Sequence, residues 1–221
     1  MNSKSGVSEN AAITPIIAIN RPRDVVMDTI YQRRSVRRYE DKRVPRDTIE
    51  TIMDAARWAP SAHNRQPWRF AVVESVAQKR ELALAMKERL RRDLLADGAS
   101  VKLIEQDTSR SYGRITSAPV LVLVCLSMID MDTYPDERRS QNEYVMAVQS
   151  VAMAGQNLLL AAHRSGLAAC WMCAPLFCPD VVREVLHLPN DWKPQGLVTV
   201  VYAAEVREKT RKPLETSVIW R

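Results

Sequence analysis

The segment VLVLVCL at residues 120–126 decides the fold class of this 221-residue chain. It is a near-continuous run of valine and leucine of strand length, which is typical of a strand buried on both faces. Residues 142–165 are rich in Ala, Leu, Met and Gln and apolar nearly all round their middle, which predicts a buried helix that Gly166 ends. We therefore expect a central sheet and a buried helix.

Other predicted elements flank this strand on both sides. Helices are expected from Asp24, over residues 45–59, over about residues 77–95 and from Pro179, with strands at residues 68–73, 168–172 and 197–203. Pro45 is expected at the first helical position, which proline favours. Because helices and strands are mixed throughout, this order indicates a layered α/β or α+β domain and argues against a helical bundle.

Length and composition favour one folded domain. Hydrophobic residues make up 46% of the chain and charged residues 26%, which is ordinary globular composition and excludes a disordered chain. We expect residues 21–221 to form a single domain and residues 1–20, which lack a sustained period, to form a flexible arm or a dimer-wrapping extension. The net charge of +6 favours anionic partners without choosing among them.

The cysteines and the lack of a long apolar segment indicate the cellular compartment. The chain has four cysteines but is far too large to need disulfide bonds for its stability, which favours a reducing compartment. No stretch approaches the ~20 apolar residues that span a bilayer, and no export segment is recognisable. We therefore expect a cytoplasmic protein without a membrane partner.

Three polar clusters carry candidate chemistry. The string RRSVRRY at residues 33–39 offers guanidinium groups and a serine hydroxyl suited to phosphate oxygens, although a solvated basic turn has the same composition. In the 60–68 loop, PSAHNRQPW, two prolines restrict the backbone and short polar side chains can reach the edges of a heterocycle; a capping turn is the alternative. A third cluster follows the last strand and consists of Lys209, Arg211 and Lys212. A run of this kind most often forms an exposed charged tail.

Taken together and in this order, the three clusters resemble those of the nitroreductase family. That family carries an Arg-Arg-Ser-x-Arg motif, a Pro-Ser-x-x-Asn-x-Gln-Pro-Trp loop and a Lys-x-Arg shortly before a proline, and the match here runs from about residue 28 to the carboxyl end. The resemblance implies an α+β fold of three layers, in which helices flank a central, mainly antiparallel sheet. It also implies flavin mononucleotide (FMN) bound without covalent attachment at the interface of an intertwined homodimer.

The resemblance implies a cofactor-binding role for each matched residue. The residues that would hold the phosphate and the ribityl chain are Arg33, Ser35, Arg37, Lys209 and Arg211. Arg34 would reach the pyrimidine edge of the flavin or the ribityl chain. Pro60, Ser61 and Asn64 would approach the flavin from the opposite subunit, which makes the dimer a condition of cofactor binding.

The segment GLAACWMCAPLF at residues 166–177 resembles the family's strand that passes the reactive part of the flavin ring. Backbone N–H groups near Cys173 and Ala174 would bind the central ring nitrogen and the adjacent carbonyl, which stabilises the negative charge of reduced flavin. Trp171 and Met172 belong to the same predicted site, although their side chains fit a core role equally well. This segment, with residues 179–194, is most similar to the nitroreductase-like domain joined to the glutamate ligase of deazaflavin-cofactor biosynthesis.

The resemblance implies a two-step reaction cycle. NADH or NADPH reduces the flavin and leaves, and a small organic acceptor such as a nitroaromatic, quinone or enone then takes the electrons. Because hydride transfer needs close stacking over the ring, no catalytic side chain is assigned. One alternative is a specialised flavin enzyme, either a deazaflavin-precursor reductase or a flavin-fragmenting enzyme. Another is a basic nucleic-acid-binding module, which lacks support because no recognition-helix or aromatic strand motif is present.

The remaining candidates are cysteines and isolated polar residues. Cys170 and Cys173 form a Cys-x-x-Cys with Cys178 close behind, a pattern that metal binding or dithiol redox chemistry could use. A closed zinc site needs a second pair or nearby histidines, so no metal is expected, and a redox role of these cysteines stays open. Arg114 and Tyr144 are further candidates for the substrate pocket, and His63 in the 60–68 loop could face the substrate, although a surface role is favoured for it.

Overall fold

The computed structural model describes residues 24–221, so the prediction for residues 1–20 falls outside the described residues. The helices in this range are α1 (Val25–Gln32), α2 (Arg46–Ala56), α3 (Val76–Ala96), α4 (Val101–Ser117), α5 (Glu137–Arg164) and α6 (Pro179–Val185). The strands are β1 (Trp68–Val73), β2 (Val120–Leu126), β3 (Ala168–Met172) and β4 (Lys193–Val201). Short 3₁₀ turns occur at Ala62–Asn64, Ala174–Phe177 and Leu214–Thr216.

The four strands form one antiparallel sheet in the order β1-β2-β4-β3. β2 lies inside the sheet between β1 and β4, and all of its residues are buried, as the apolar run predicts. Among the described residues, parallel pairing is limited to an isolated bridge between Ser35, which lies beside the outer edge of β3, and Ala169 of β3. The prediction of a mainly antiparallel sheet is therefore confirmed.

Helices cover both faces of the sheet. The side chains of Val120, Val122 and Val124 pack with α2 and α5 on one face. Those of Leu121 and Leu123 pack on the other face with apolar residues of α3, α4 and α6. This alternation follows from the period of two in a strand. The result is the predicted three-layer α+β fold.

α5 is a core helix whose length and composition would also suffice to cross a bilayer. In the structure it packs against α2 and three strands of the sheet, and its buried residues include Val151, Leu158 and Leu159. Gly166, with a φ of +74°, ends the helix, and its N–H donates to the carbonyl of His163 at 3.1 Å. The apolar composition of α5 is thus explained by its burial in this layer.

The structure corrects several predicted boundaries. α5 begins at Glu137, five residues before the predicted start at 142, because the Asp136 side chain accepts the Arg139 N–H and caps the helix. β4 covers residues 193–201 and not 197–203. Pro45 is the N-cap of α2, and the helix starts at Arg46.

α4 was not predicted from the sequence at all. Its buried residues are only Ile104, Thr108 and Ile115, which is a weak helical period. Gly113 interrupts the pattern further, since glycine disfavours a helix interior by about 1 kcal/mol relative to alanine. The Ser100 side chain, which accepts the Leu103 N–H at 3.4 Å, was the signal that marks the start of this helix.

Candidate functional site

A cavity of about 790 Å³ brings the two ends of the described chain together. We call it the cationic cavity, because its walls hold nine basic side chains and one carboxylate, that of Glu205. The basic residues are Arg33, Arg34, Arg37, Arg38, Arg110, Arg114, Arg207, Lys209 and Arg211. Ser35 also lines it, so six of the residues predicted to bind a phosphorylated cofactor share one cavity.

Backbone pairing at the edge of the sheet produces this convergence. After α1 ends, the Val36 N–H donates to the carbonyl of Ala169 in β3 at 3.3 Å. Farther on, the Glu40 N–H donates to the Tyr202 carbonyl at 3.0 Å, and the Ala204 N–H donates to the Arg38 carbonyl at 3.1 Å. Residues 33–40 are therefore fixed beside the chain that leaves β4, which carries Arg207, Lys209 and Arg211.

Carboxylate partners divide the basic side chains of the cavity into two groups. Glu205 pairs with Arg38 at 2.9 Å and with Arg207 at 2.5 Å, and Asp107 pairs with Arg110 at 2.5 Å. Within residues 24–221, the other six have no carboxylate within ion-pair distance. These six are Arg33, Arg34, Arg37, Arg114, Lys209 and Arg211. Apart from Arg114, they are the basic residues that the sequence predicts to bind the cofactor.

Arg33 has the least satisfied charge of this group. Its Nη1 is buried and has no hydrogen-bond partner among the described residues. Burial lowers the pKa of Arg33, and repulsion by Arg211 and Arg34 lowers it further. A guanidinium in this position is stabilised by an anion, and a phosphate supplies both the charge and the acceptor oxygens. The residues present therefore fit the phosphate group of FMN.

The 60–68 loop is held by hydrogen bonds within its own chain. The Ser61 Oγ accepts the Gln66 N–H at 3.0 Å, and the Asn64 N–H donates to the Ser61 carbonyl at 3.0 Å. The Ala62 N–H donates to the Oγ of Ser150, a buried residue of α5, at 3.2 Å. Since Ser61 accepts through its oxygen, its hydroxyl proton remains free to be donated.

The backbone of this loop is strained. His63, Asn64 and Gln66 have φ values of 50°, 54° and 50°, in the left-handed region that residues other than glycine seldom adopt. Each such conformation costs on the order of 1 kcal/mol and persists only where surrounding contacts enforce it. The hydrogen bonds to Ser61 and Ser150 supply that enforcement.

Within one chain, the 60–68 loop lies away from the cationic cavity. The loop leads into β1, at one edge of the sheet, whereas residues 33–37 lie outside β3 at the other edge. Three strand spacings separate β1 from β3, which is roughly 14 Å. The two sites also lie towards opposite ends of the strands. Trp68 pairs with Leu126, the last residue of β2, whereas Ser35 neighbours Ala169, whose partner Val200 is near the end of β4. Because β2 and β4 are antiparallel, their last residues lie at opposite ends of the sheet.

The predicted ring-binding segment follows β3. The Trp171 indole is wedged between Gly155 of α5 and Gly196 of β4, where an added Cβ would come within 2.3 Å of it. Trp171 and Met172 pack against opposite layers, so their side chains serve the core. Within the described chain, the N–H groups of Cys173 and Ala174 donate no hydrogen bond, which leaves them available to a ligand.

The cysteines form no disulfide and no metal cluster among the described residues. Burial raises the pKa of Cys125 to about 12 and that of Cys178 to about 11, so both thiols stay protonated at neutral pH. Burial also raises the pKa of Cys170, while Cys173 is exposed.

The other candidates are placed as follows. Arg114 lines the cationic cavity from α4. Tyr144 packs on the α5 side of the core under the ammonium of Lys193, and His63 is exposed in the loop. Sequence reasoning missed the cavity wall that α4 provides. The repeat of Ser109, Gly113 and Ser117 beside Arg110 and Arg114 was the signal, but it required recognising the helix.

Comparison with known proteins gives a consistent match. A family model described as "Nitroreductase family" matches residues 30–202. A protein of Methanothermobacter thermautotrophicus, provisionally named NADH dehydrogenase/NAD(P)H nitroreductase, is 31% identical over 182 residues, which cover 81% of this chain and 78% of the relative. A protein of Haliscomenobacter hydrossis named iodotyrosine deiodinase is 30% identical over 182 residues, which cover 78% of this chain and 77% of the relative.

A solved structure shares the fold. It is a crystal structure, from Desulfovibrio desulfuricans, of a protein provisionally named a nitroreductase in complex with FMN. Its TM-score is 0.70 at 25% identity, and the alignment covers 90% of this chain and 98% of that one.

Proposed function

The chain belongs to the nitroreductase family, and we propose that it is an FMN-dependent oxidoreductase that takes a hydride from NADH or NADPH and reduces a small organic acceptor. One observation carries the proposal: basic segments 33–37 and 207–211, far apart in sequence, line one cavity. The Nη1 of Arg33, which has no hydrogen-bond partner among residues 24–221, lies in this group, and an anionic acceptor would satisfy it. The FMN complex of the Desulfovibrio protein supports FMN as the source of that anion.

The phosphate end of the cofactor is assigned to the side chains without carboxylate partners. Arg33, Arg37 and Arg211 offer planar pairs of donors that match phosphate oxygens, and Lys209 adds a point charge. The Ser35 hydroxyl supplies one further donor. Arg34, whose Nη1 donates to the carbonyls of Tyr31 and Arg33, lines the same cavity and would contact the pyrimidine edge or the ribityl chain.

The ring end of the cofactor is assigned to residues 171–174 of the same chain. The free N–H groups of Cys173 and Ala174 would donate to the central ring nitrogen and the neighbouring carbonyl. When bound, FMN accepts a hydride from the nicotinamide donor and passes the electrons on to the acceptor. The protein supplies position and N–H donors, so no side chain is assigned as an acid or a base.

We propose a homodimer in which the 60–68 loop of one chain reaches the flavin of the other. The distance across the sheet within one chain supports this arrangement, because the loop does not line the cavity of its own chain. The exposed apolar surface also supports it. α1 has no buried residue, and its large apolar side chains are between 41% and 65% exposed; they are Val25, Val26, Met27, Ile30 and Tyr31. Contiguous exposed apolar surface of this kind is typical of protein–protein interfaces.

Light scattering on the flavin-loaded protein tests the dimer. We expect twice the chain mass of 25.1 kDa. A monomer that retains flavin would contradict the assignment of Pro60, Ser61 and Asn64 to the cofactor of the other chain.

Anaerobic stopped-flow absorbance tests the proposed reaction. The purified protein should show the spectrum of oxidised flavin, and NADH or NADPH should bleach it; an acceptor such as a nitroaromatic or quinone should then restore it. If neither donor bleaches the flavin, the proposal is wrong. A colourless protein that is retained on DNA in a salt-sensitive way would favour the nucleic-acid-binding alternative.

A second candidate is a specialised flavin enzyme. The 30% identity with the protein named iodotyrosine deiodinase favours a halogenated aromatic as one acceptor class to test, beside deazaflavin precursors. A flavin-fragmenting enzyme is a further possibility. Product analysis after aerobic reduction tests it, because an enzyme that fragments its own flavin consumes the flavin stoichiometrically. Flavin recovered intact after many turnovers excludes fragmentation.

A further inference from the structure

We propose that Arg114 of α4 binds the phosphate of the cofactor and makes the site select phosphorylated over unphosphorylated flavin. This inference rests on the proposed FMN site and extends it to a helix outside the three motifs. The site would then hold the phosphate from three chain segments, residues 33–37, residues 209–211 and α4.

The position of Arg114 supports this role. It lies in the last turn of α4, is half-buried, and lines the cationic cavity together with Arg33 and Arg37. All three guanidinium groups act on the same buried thiol: burial raises the pKa of Cys170, and Arg37, Arg114 and Arg33 each lower it. The three charges therefore lie near the same residue of β3 and line the same cavity.

The charge state of Arg114 distinguishes it from its neighbour on the same helix. Arg110 lies one turn earlier on the same wall, but it is exposed and pairs with Asp107. Arg114 has no hydrogen-bond or ion-pair partner within residues 24–221. It is the sole member of the group without carboxylate partners that the three motifs do not contain.

The surface of α4 leaves room for an anion beside Arg114. Ser109, Gly113 and Ser117 lie on the cavity wall at intervals of four residues, so small side chains face the cavity on successive turns. A Cβ added to Gly113 would meet no atom within 4 Å, which shows open space at this point. Arg114 can therefore approach a phosphate without a steric barrier from its own helix.

The test compares the affinities of the apoprotein for FMN and riboflavin, which differ only in the phosphate. We expect Arg114→Gln to weaken FMN binding about 30-fold, the loss of a charge-assisted hydrogen bond, and to leave riboflavin binding within about twofold. Arg110→Gln is the matched control and should change FMN affinity less than about threefold, because its charge is already paired at the surface. Arg114→Lys, which keeps the charge, should recover part of the FMN affinity.

Two results would overturn the inference. One is unchanged FMN affinity in Arg114→Gln; the other is an equal loss for both flavins, which would mean that Arg114 serves the stability of α4 through its helix dipole. Thermal unfolding of each apoprotein variant shows whether the fold is retained, and Arg114→Met, which also removes the charge, replaces Arg114→Gln in the comparison if it is not. If the wild-type protein binds neither flavin, the proposed function itself fails.

Discussion

The cationic cavity and the 60–68 loop lie at opposite edges of one sheet and reach their geometry by different means. The loop is complete within its chain: Ser61 and Ser150 satisfy its N–H groups, and Arg65 pairs with Asp132. The cavity is incomplete, because among residues 24–221 six of its basic side chains have no carboxylate partner and Arg33 has a buried nitrogen without a hydrogen-bond partner. The fold therefore preorganises the loop, while the proposed site in the cavity needs an anion to complete it.

Each region also holds one buried charged atom without a partner among the described residues, and the two charges have opposite sign. In the cavity it is Arg33 Nη1, and on the loop side it is Glu143 Oε2. The other oxygen of Glu143 accepts the Asp132 N–H at 3.1 Å, and Asp132 in turn pairs with Arg65 of the loop. The carboxylate thus already serves the fold, whereas the role proposed above for the Arg33 guanidinium is to bind a ligand.

The largest expected effect comes from Arg33→Gln. This variant should weaken FMN binding on the order of 100-fold, because a partly buried charge-assisted contact is lost. The apoprotein should be as stable as wild type or more stable, because the change removes a buried cation that Arg211 and Arg34 repel. Flavin titration and thermal unfolding of the apoprotein measure the two effects. A less stable apoprotein would show that the cavity, like the loop, is completed by the fold.

In contrast to the cavity variant, a loop variant with more backbone strain should make the apoprotein less stable. His63→Val places a β-branched residue at a φ of 50° and should destabilise the apoprotein by about 1–2 kcal/mol, or about 2–8 °C in Tm. His63→Gly is the control and should keep Tm within about 2 °C, since glycine adopts this φ freely. Equal Tm values for the two variants at one protein concentration would contradict an enforced left-handed conformation.

Ser61→Ala should have a smaller effect of the same kind. It removes the acceptor of the Gln66 N–H and should lower the free energy of unfolding by about 0.5–1.5 kcal/mol. Urea denaturation of the apoprotein measures this change. A stability equal to wild type, with flavin affinity alone reduced, would mean that Ser61 contributes to the ligand and not to the loop.

The smallest expected effect is a pKa change at His163. Burial lowers the pKa of this half-buried side chain below its ordinary 6.5, and Arg33 and Arg34 lower it further. Between the lowered value and 6.5 the unfolded chain binds more protons, so His163 makes the apoprotein less stable as the pH falls through this window. A phosphate beside Arg33 and Arg34 offsets their repulsion and should raise the pKa of His163.

NMR titration of the imidazole with and without FMN measures this change. His163 also lines a small cavity of about 190 Å³ with Asp28 and Arg164. The charges of these two residues are the same with and without FMN, so they do not alter the comparison. His187, beyond α6, is the internal control. A pKa of His163 that is unchanged or lower with FMN would contradict the placement of the phosphate.

The sequence predicted the loop and the motif residues better than the shape of the cavity. The apolar run of β2 and the periods of β1 and β3 are local patterns, and the structure confirms their bounds. The convergence of residues 33–37 and 209–211 followed from the family resemblance, since no local pattern contains it. The α4 wall was missed because its buried positions are few and polar residues dominate it. The left-handed turns at His63 and Gln66 were also hidden, since neither residue type requires such a φ.

The most direct test of the account is the ³¹P NMR signal of FMN bound to the protein, followed from about pH 5 to pH 8, across the second phosphate pKa of about 6. Six basic side chains without carboxylate partners should keep the phosphate a dianion, so the chemical shift should stay constant over this range. A shift that titrates near pH 6, as a phosphate in water does, would contradict the claim that the cationic cavity holds it.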